Sequence, residues 1–184
     1  MADSKMAPKP AGTKPGATAK TSLESERRLQ EKYSATSKEV LVVSESFLYN
    51  SQDTQARIAL IRQGVPASIV AELSNRMGMS KESLLISLGL SRATISRKEK
   101  EKTLLSKDES ERVLGVGDLI GMVQTMVEQS GDATHFNAAR WLSDWLTKPL
   151  PALAGATPAS YMDTFEGQKL VAQMLSMIQS GAYA

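Results

Sequence analysis

From residue 52 onward, apolar side chains recur at the three- and four-residue spacing of helical faces. Glycines and prolines divide this part of the chain into segments of helix length, with breaks at residues 64–66, Gly78, Gly89 and Gly131. The pattern predicts an all-α fold. We expect helices at residues 52–63, 67–77, 81–88, 91–100 and 107–130, followed by two more in the C-terminal part.

Residues 1–35 differ in composition, because alanine, lysine, proline, glycine and threonine dominate their first part and apolar residues are few. Such a segment cannot repay the entropy of ordering, so we expect a disordered or weakly helical extension. We interpret its lysines as those of a solvated tail rather than as DNA contacts. Next, Thr36-x-x-Glu39 forms a capping-box pattern, and residues 40–43 fit a short strand as well as a helix.

The longest helical segment, residues 107–130, begins after a second capping-box pattern, Ser106-x-x-Glu109. Its valines, leucine, isoleucine and methionine keep a helical period, which predicts a core helix that joins two parts of the molecule. Gly115, Gly117 and Gly121 interrupt this helix, and each lowers its intrinsic stability by roughly 1 kcal/mol relative to alanine. We therefore expect close helix packing there, either within the chain or across a dimer contact.

Residues 80–97 have the pattern of a helix-turn-helix. Leucines supply the buried face of the first helix, Gly89 suits the positive φ of the turn, Ser91 caps the second helix and Ile95 anchors it inward. We expect an outward face that contacts double-stranded DNA in the major groove, formed by Ser91, Arg92, Thr94, Ser96, Arg97 and Lys98. The alternative is a helical hairpin with solvated charges.

Composition supports a binding protein rather than an enzyme. The net charge of +2 is too small to indicate nucleic-acid binding by itself, but residues 91–102 carry five basic and two acidic side chains, a local charge of +3. With no cysteine and a single histidine, His135, nothing suggests a catalytic centre, a metal or a cofactor. No apolar run approaches the roughly 18–20 residues of a membrane span, and we expect a cytoplasmic protein.

Two tryptophans begin the C-terminal part of the chain. Trp141 and Trp145 lie four residues apart, so on a helix ending near Lys148 they stack on one face with Ala138, Leu142 and Leu146. Thr157-Pro158 resembles an N-cap followed by proline at the first helical position, which predicts the start of the last helix. That helix carries an apolar stripe that extends to Ile178, and Gly181 suits its C-cap.

The combination of Ala-Ala-Arg-Trp-Leu, Leu-Ala-Gly-Ala-Thr-Pro and Thr-Phe-Glu-Gly-Gln-Lys-Leu-Val resembles the toxin-binding domain of the Xre/MbcA/ParS family of bacterial antitoxins. The resemblance implies a helix-turn-helix and dimerisation domain at residues 36–130 and a toxin-binding domain at residues 131–184. It also implies that a homodimer represses its own operon by binding operator DNA.

In that family the partner is a RES-domain toxin that consumes NAD, and the extreme C-terminus enters the toxin's active site. The resemblance thus assigns toxin binding to Gly181, Ala182, Tyr183 and Ala184, where a terminal carboxylate and the tyrosine ring would occupy a site built for NAD. The alternative is a free-standing helix-turn-helix regulator whose C-terminal domain only dimerises.

Overall fold

The computed structural model describes residues 54–131 and 133–179, and within them it confirms the all-α prediction: seven α-helices, two 3₁₀ helices and no strand. The expectations for the N-terminal extension, for residues 36–43 and for the tail from Gly181 to Ala184 lie outside the described residues. The helices are α1 (Thr54–Gln63), α2 (Ile69–Met77), α3 (Lys81–Ser87), α4 (Arg92–Lys100), α5 (Lys107–Ser130), α6 (Ala138–Leu146) and α7 (Phe165–Gln179).

Serine and asparagine caps set the starts of most of these helices. Ser80, Ser91 and Asn137 each accept a hydrogen bond from a backbone N–H three residues later, at the starts of α3, α4 and α6. At α5 the predicted capping box is present in both directions, between Ser106 and Glu109. The predicted bounds of α5 are confirmed.

The predicted start of the last helix at Thr157-Pro158 is wrong. Pro158 begins only the 3₁₀ helix Pro158–Tyr161, and Thr157 makes no side-chain capping bond there. The helix α7 begins at Phe165, where Thr164 Oγ1 accepts a hydrogen bond from the backbone N–H of Gly167 at 3.1 Å. The break between the two helices buries Met162 in the core.

The long helix α5 is the central element of the described structure. It packs against α1, α6 and α7, while α2 packs against α3 and α6. Side chains from all seven helices meet in one apolar core, which includes Ile61, Leu73, Leu88, Ile95, Val116, Leu142 and Leu175. The close packing expected at the glycines of α5 is confirmed within the chain at Gly115, where a Cβ would lie 1.8 Å from Gln168 Oε1 of α7. Among the described helices, none is both long and apolar enough to cross a bilayer.

Candidate nucleic-acid and partner interfaces

The hairpin of α3 and α4 has the core that its sequence predicts. Leu84 and Leu85 of the first helix, Leu88 at its C-cap and Ile95 of the second helix are buried. Gly89 forms the turn between the helices with φ at +59°, in the left-handed region that glycine adopts without strain. The rigid inner face fixes which side of α4 can meet a ligand.

The outer face of α4 presents most of the predicted contact residues to solvent. Ser91, Arg92, Ser96 and Arg97 are exposed, and Thr94 is half-buried. Ser91 also holds the start of the helix, because its Oγ accepts a hydrogen bond from the backbone N–H of Thr94 at 3.4 Å. Backbone N–H groups at a helix start and exposed arginines together favour contact with phosphates and base edges.

Lys98 does not face outward, so the predicted orientation of its side chain is wrong. Its side chain is only 17% exposed, and its ammonium group pairs with the carboxylate of Glu109 at the start of α5. The pair crosses between two helices, and the attraction of opposite charges in a half-buried position holds Lys98 away from the outer face. Lys98 therefore connects α4 to α5 and stabilises the position of α4.

The surroundings of Glu109 shift its protonation. Burial of the carboxylate raises its pKa, but hydrogen bonds from Lys98 and the backbone N–H of Ser106, with the positive charge of Lys98, outweigh that effect. The pKa of Glu109 consequently lies below its ordinary value. The carboxylate stays ionised near neutral pH and serves both the cap of α5 and the contact with α4.

Both exposed arginines of α4 have an acidic neighbour. Arg92 Nη1 lies 2.9 Å from Glu82 Oε1 of α3, and Arg97 Nη1 lies 3.7 Å from Glu101 Oε2 one turn later on the chain. The arginine side chains remain 73% and 65% exposed, so solvent and ligands reach them. Exposed pairs of this kind contribute little to stability, about 0–1 kcal/mol.

Sequence reasoning missed Arg112, which supports the turn of the hairpin from α5. Its Nη1 donates hydrogen bonds to the backbone oxygens of Leu88 at 2.9 Å and Gly89 at 3.2 Å, while its Nε donates to Asp108 O at 3.2 Å. The carbonyl groups at the C-terminal end of α3 have no partner in the next turn of helix, and the guanidinium supplies one. No local pattern signals this role, because the contact spans more than 20 residues.

The Glu-Gly-Gln part of the C-terminal motif has a packing role. Gly167 lies so close to the preceding turn that a Cβ would be 1.8 Å from Tyr161 O. Gln168 is 5% exposed, and its Nε2 donates to Arg112 O at 3.0 Å and to Met162 O at 2.9 Å. A signal for Gln168 exists in the sequence, since it falls on the helical face of buried Val171 and Leu175.

The tryptophans share one helical face, as their spacing predicts: Trp145 belongs to the core and Trp141 is half-buried against it. The rings of Trp141 and Trp145 stack with centroids 6.2 Å apart, and Trp145 is buried. The apolar stripe of α7 continues past the core, because Met177 is 44% and Ile178 40% exposed.

His135 is exposed, and in the described ranges no group of three or more histidine or acidic side chains is placed to hold a metal.

Comparisons with known protein families identify two domains in this chain. Residues 56–116 match the family model of the antitoxin Xre-like helix-turn-helix domain. Residues 131–181 match that of the antitoxin Xre/MbcA/ParS C-terminal toxin-binding domain. The two matched segments contain the α3–α4 hairpin and the Glu-Gly-Gln motif respectively.

Two curated proteins are similar over most of their length. One, from a Sphingobium species, is named Prs ADP-ribosylating antitoxin and is 42% identical over 128 residues, which cover 70% of this chain and 80% of that protein. The other, from Photorhabdus laumondii, is named Antitoxin Xre and is 24% identical over 123 residues, 67% of this chain and 78% of that protein. This chain therefore belongs to the Xre/MbcA/ParS family of antitoxins, with a helix-turn-helix domain followed by a C-terminal toxin-binding domain.

Proposed function

We propose that this antitoxin represses its own operon by placing α4 in the major groove of operator DNA. The observation that carries the proposal is the outer face of α4, where Ser91, Arg92, Ser96 and Arg97 are exposed on a helix fixed by buried Ile95. Arginine can pair with both acceptors of a guanine edge, and serine can reach phosphates. Thr94 lies between them and is suited to a thymine methyl group.

A homodimer would read two half-sites about 34–36 Å apart, the repeat of one helical turn of DNA. We propose this state because a single hairpin of this size contacts few base pairs, and because the family resemblance favours it. A protected region with two such half-sites, together with the mass of the protein in solution, tests the dimer. We also propose that the protein acts in the cytoplasm, because operator DNA lies there.

Measuring the affinity of the protein for a DNA fragment from upstream of the operon tests the proposed operator binding. Affinity should fall with salt at a slope of about 0.9 per phosphate contacted. Replacing Arg92 or Arg97 by alanine should weaken operator binding by about 1–3 kcal/mol if the side chain contacts a base. Lys148→Ala, which removes an exposed charge after α6, is the control. Affinity that does not respond to salt would contradict the proposal.

We further propose that the C-terminal domain neutralises a RES-domain toxin that consumes NAD. The name of the Sphingobium relative, Prs ADP-ribosylating antitoxin, connects that protein with ADP-ribosylation, a reaction that draws its ADP-ribosyl group from NAD. For this chain, therefore, an NAD-consuming partner is favoured whether the toxin hydrolyses NAD or transfers its ADP-ribosyl group.

The tail from Gly181 to Ala184 is our proposal for the inhibitory segment. The helix α7 precedes the tail in the sequence. In the last turn of that helix, exposed Met177 and Ile178 supply apolar surface where a partner could pack. In the toxin, the ring of Tyr183 would act as an anchor with a hydroxyl group for hydrogen bonding. Occupation of the active site by the tail would compete with NAD.

Co-expression with the product of the gene beside the antitoxin, which this proposal expects to be a RES-domain protein, tests the assignment. The full chain should keep cellular NAD at its normal level, whereas a chain ending at Ser180 and the variant Tyr183→Ala should protect less. His135→Ala, an exposed substitution outside the tail, should protect fully. If the shortened chain binds the toxin and protects as well as the full chain, insertion of the tail is wrong.

A further inference from the structure

The charged side chains around α4 form two kinds of ion pair. Lys98 with Glu109, and Lys81 with Glu99, are pairs between helices whose side chains are at most 30% exposed, and they hold α4 in place. The pairs of Arg92 with Glu82 and Arg97 with Glu101 lie on the open outer face instead. Because exposed pairs stabilise a fold very little, the two outer carboxylates call for another explanation.

Glu101 is the more informative of the two acids. It is the C-cap residue of α4, where the partial negative charge of the helix end disfavours a carboxylate. Glu82 lies in the first turn of α3, where a negative charge is favoured. The two residues thus have opposite effects on helix stability, yet each places a carboxylate beside an arginine of the same outer face.

We propose that Glu82 and Glu101 determine specificity by keeping Arg92 and Arg97 from binding the DNA backbone indiscriminately. The inference rests on the proposed DNA binding. It assigns a role to acidic residues beside α4, in addition to the side chains of α4 that would contact DNA directly.

The chemistry of the two possible ligands supports this role. A guanidinium has five N–H donors, and the contact with Glu82 uses a single nitrogen of Arg92, Nη1. The remaining donors can reach the neutral oxygen and nitrogen acceptors of a guanine edge while the ion pair persists. A phosphate is an anion, so its approach to the same guanidinium brings two negative charges together or requires the ion pair to break.

Removing either carboxylate should therefore strengthen binding to the DNA phosphates more than binding to the base edges. The test compares Glu82→Gln and Glu101→Gln with the unmodified chain on two duplexes of equal length: the operon's upstream fragment and a random sequence. Glu128→Gln is the matched control, because it makes the same change in charge at an exposed position of α5, about 28 Å along the helix from Glu109.

We expect each variant to bind random DNA about fivefold more tightly, the factor that corresponds to two unit charges about 4 Å apart in water. Affinity for the upstream fragment should rise less. The specificity ratio, which is the affinity for the upstream fragment divided by the affinity for random DNA, should therefore fall. The salt slope on random DNA should steepen by about 0.9 for each additional phosphate that the variant binds. Glu128→Gln should leave the ratio unchanged.

Melting temperatures measured alongside separate this effect from a change in folding. Glu101→Gln should be neutral or stabilising and Glu82→Gln slightly destabilising, yet both should lower the ratio. If both duplexes gain affinity by the same factor, or neither gains any, the inference is wrong while DNA binding stands. If the unmodified chain binds neither duplex, DNA binding fails and the inference fails with it.

Discussion

Two glycines of the described structure lie where a larger residue would not fit. Gly167 and Gly115 both lie where a Cβ would overlap a neighbouring oxygen, that of Tyr161 in one case and of Gln168 in the other. The oxygen of Tyr161 belongs to the backbone and cannot move aside, whereas that of Gln168 ends a side chain. The restriction at Gly167 is therefore the stricter one.

Replacing Gly167 by alanine should destabilise the fold by at least about 2 kcal/mol, because the added methyl group forces backbone in the turn before α7 to shift. Urea denaturation followed by circular dichroism measures the change in the free energy of unfolding. The control is Gln173→Ala, an exposed position on the same helix, which should change it by less than about 0.5 kcal/mol. Equal stabilities of the two variants would contradict the packing described at Gly167.

At the scale of elements, α4 depends on its neighbours for its position. Lys98 connects it to the first turn of α5, Lys81 connects α3 to Glu99, and Arg112 holds the turn between the two helices. The short helix α4 has Ile95 as its buried residue, so these polar contacts contribute much of its orientation.

Stability should consequently depend on the ionisation of Glu109. Its pKa is lower in the folded chain than the ordinary value near 4.5, so its contribution is complete above that value and is lost as pH falls through the folded-state pKa. At pH 7, Glu109→Gln should cost about 2 kcal/mol, since the ion pair with Lys98 and the negative charge at the cap are lost. Below pH 4.5, the difference in the free energy of unfolding between the unmodified protein and Glu109→Gln should become smaller.

Thermal melts of both proteins between pH 3 and pH 7 measure this difference. Glu111→Gln, on the same turn of α5, is a control for the loss of one negative charge near the helix start. If the unmodified protein and Glu109→Gln lose stability in parallel on acidification, Glu109 is not the group responsible.

The sequence predicted elements well where the signals are local. The bounds of α5 follow from a capping box beside an apolar period, and the inner face of the hairpin follows from leucine spacing around Gly89. The orientation of Lys98 could not be predicted, because its partner belongs to the next helix. Thr157-Pro158 was misleading, because proline at the first position suits a single turn of 3₁₀ helix as well as an α-helix, and this turn ends at the buried Met162.

At the scale of the whole molecule, the described helices form one packed body. Apolar residues of the segment matched to the helix-turn-helix domain and of that matched to the toxin-binding domain share a single core. Arg112 connects them by hydrogen bonds as well, since its side chain binds the hairpin turn and its backbone oxygen accepts from Gln168.

We therefore expect one cooperative unfolding transition. Tryptophan fluorescence reports on the C-terminal part, where both tryptophans lie, and far-ultraviolet circular dichroism reports on all helices. In urea the two signals should change with the same midpoint. Arg112→Ala should lower both midpoints together, whereas Arg140→Ala, an exposed position on α6, should lower them less. Separate midpoints for the two signals would show that the parts unfold independently.

The contact of Gln168 with Gly115 and Arg112 also bears on how such antitoxins can be recombined. A chimera that joins the DNA-binding half of one relative to the C-terminal half of another replaces one side of this contact and keeps the other. A bulkier residue at position 115 would exclude the glutamine, and a shorter one at position 168 would leave a buried carbonyl without its donor. Exchange of toxin specificity between relatives should therefore succeed when positions 115 and 168 are transferred together.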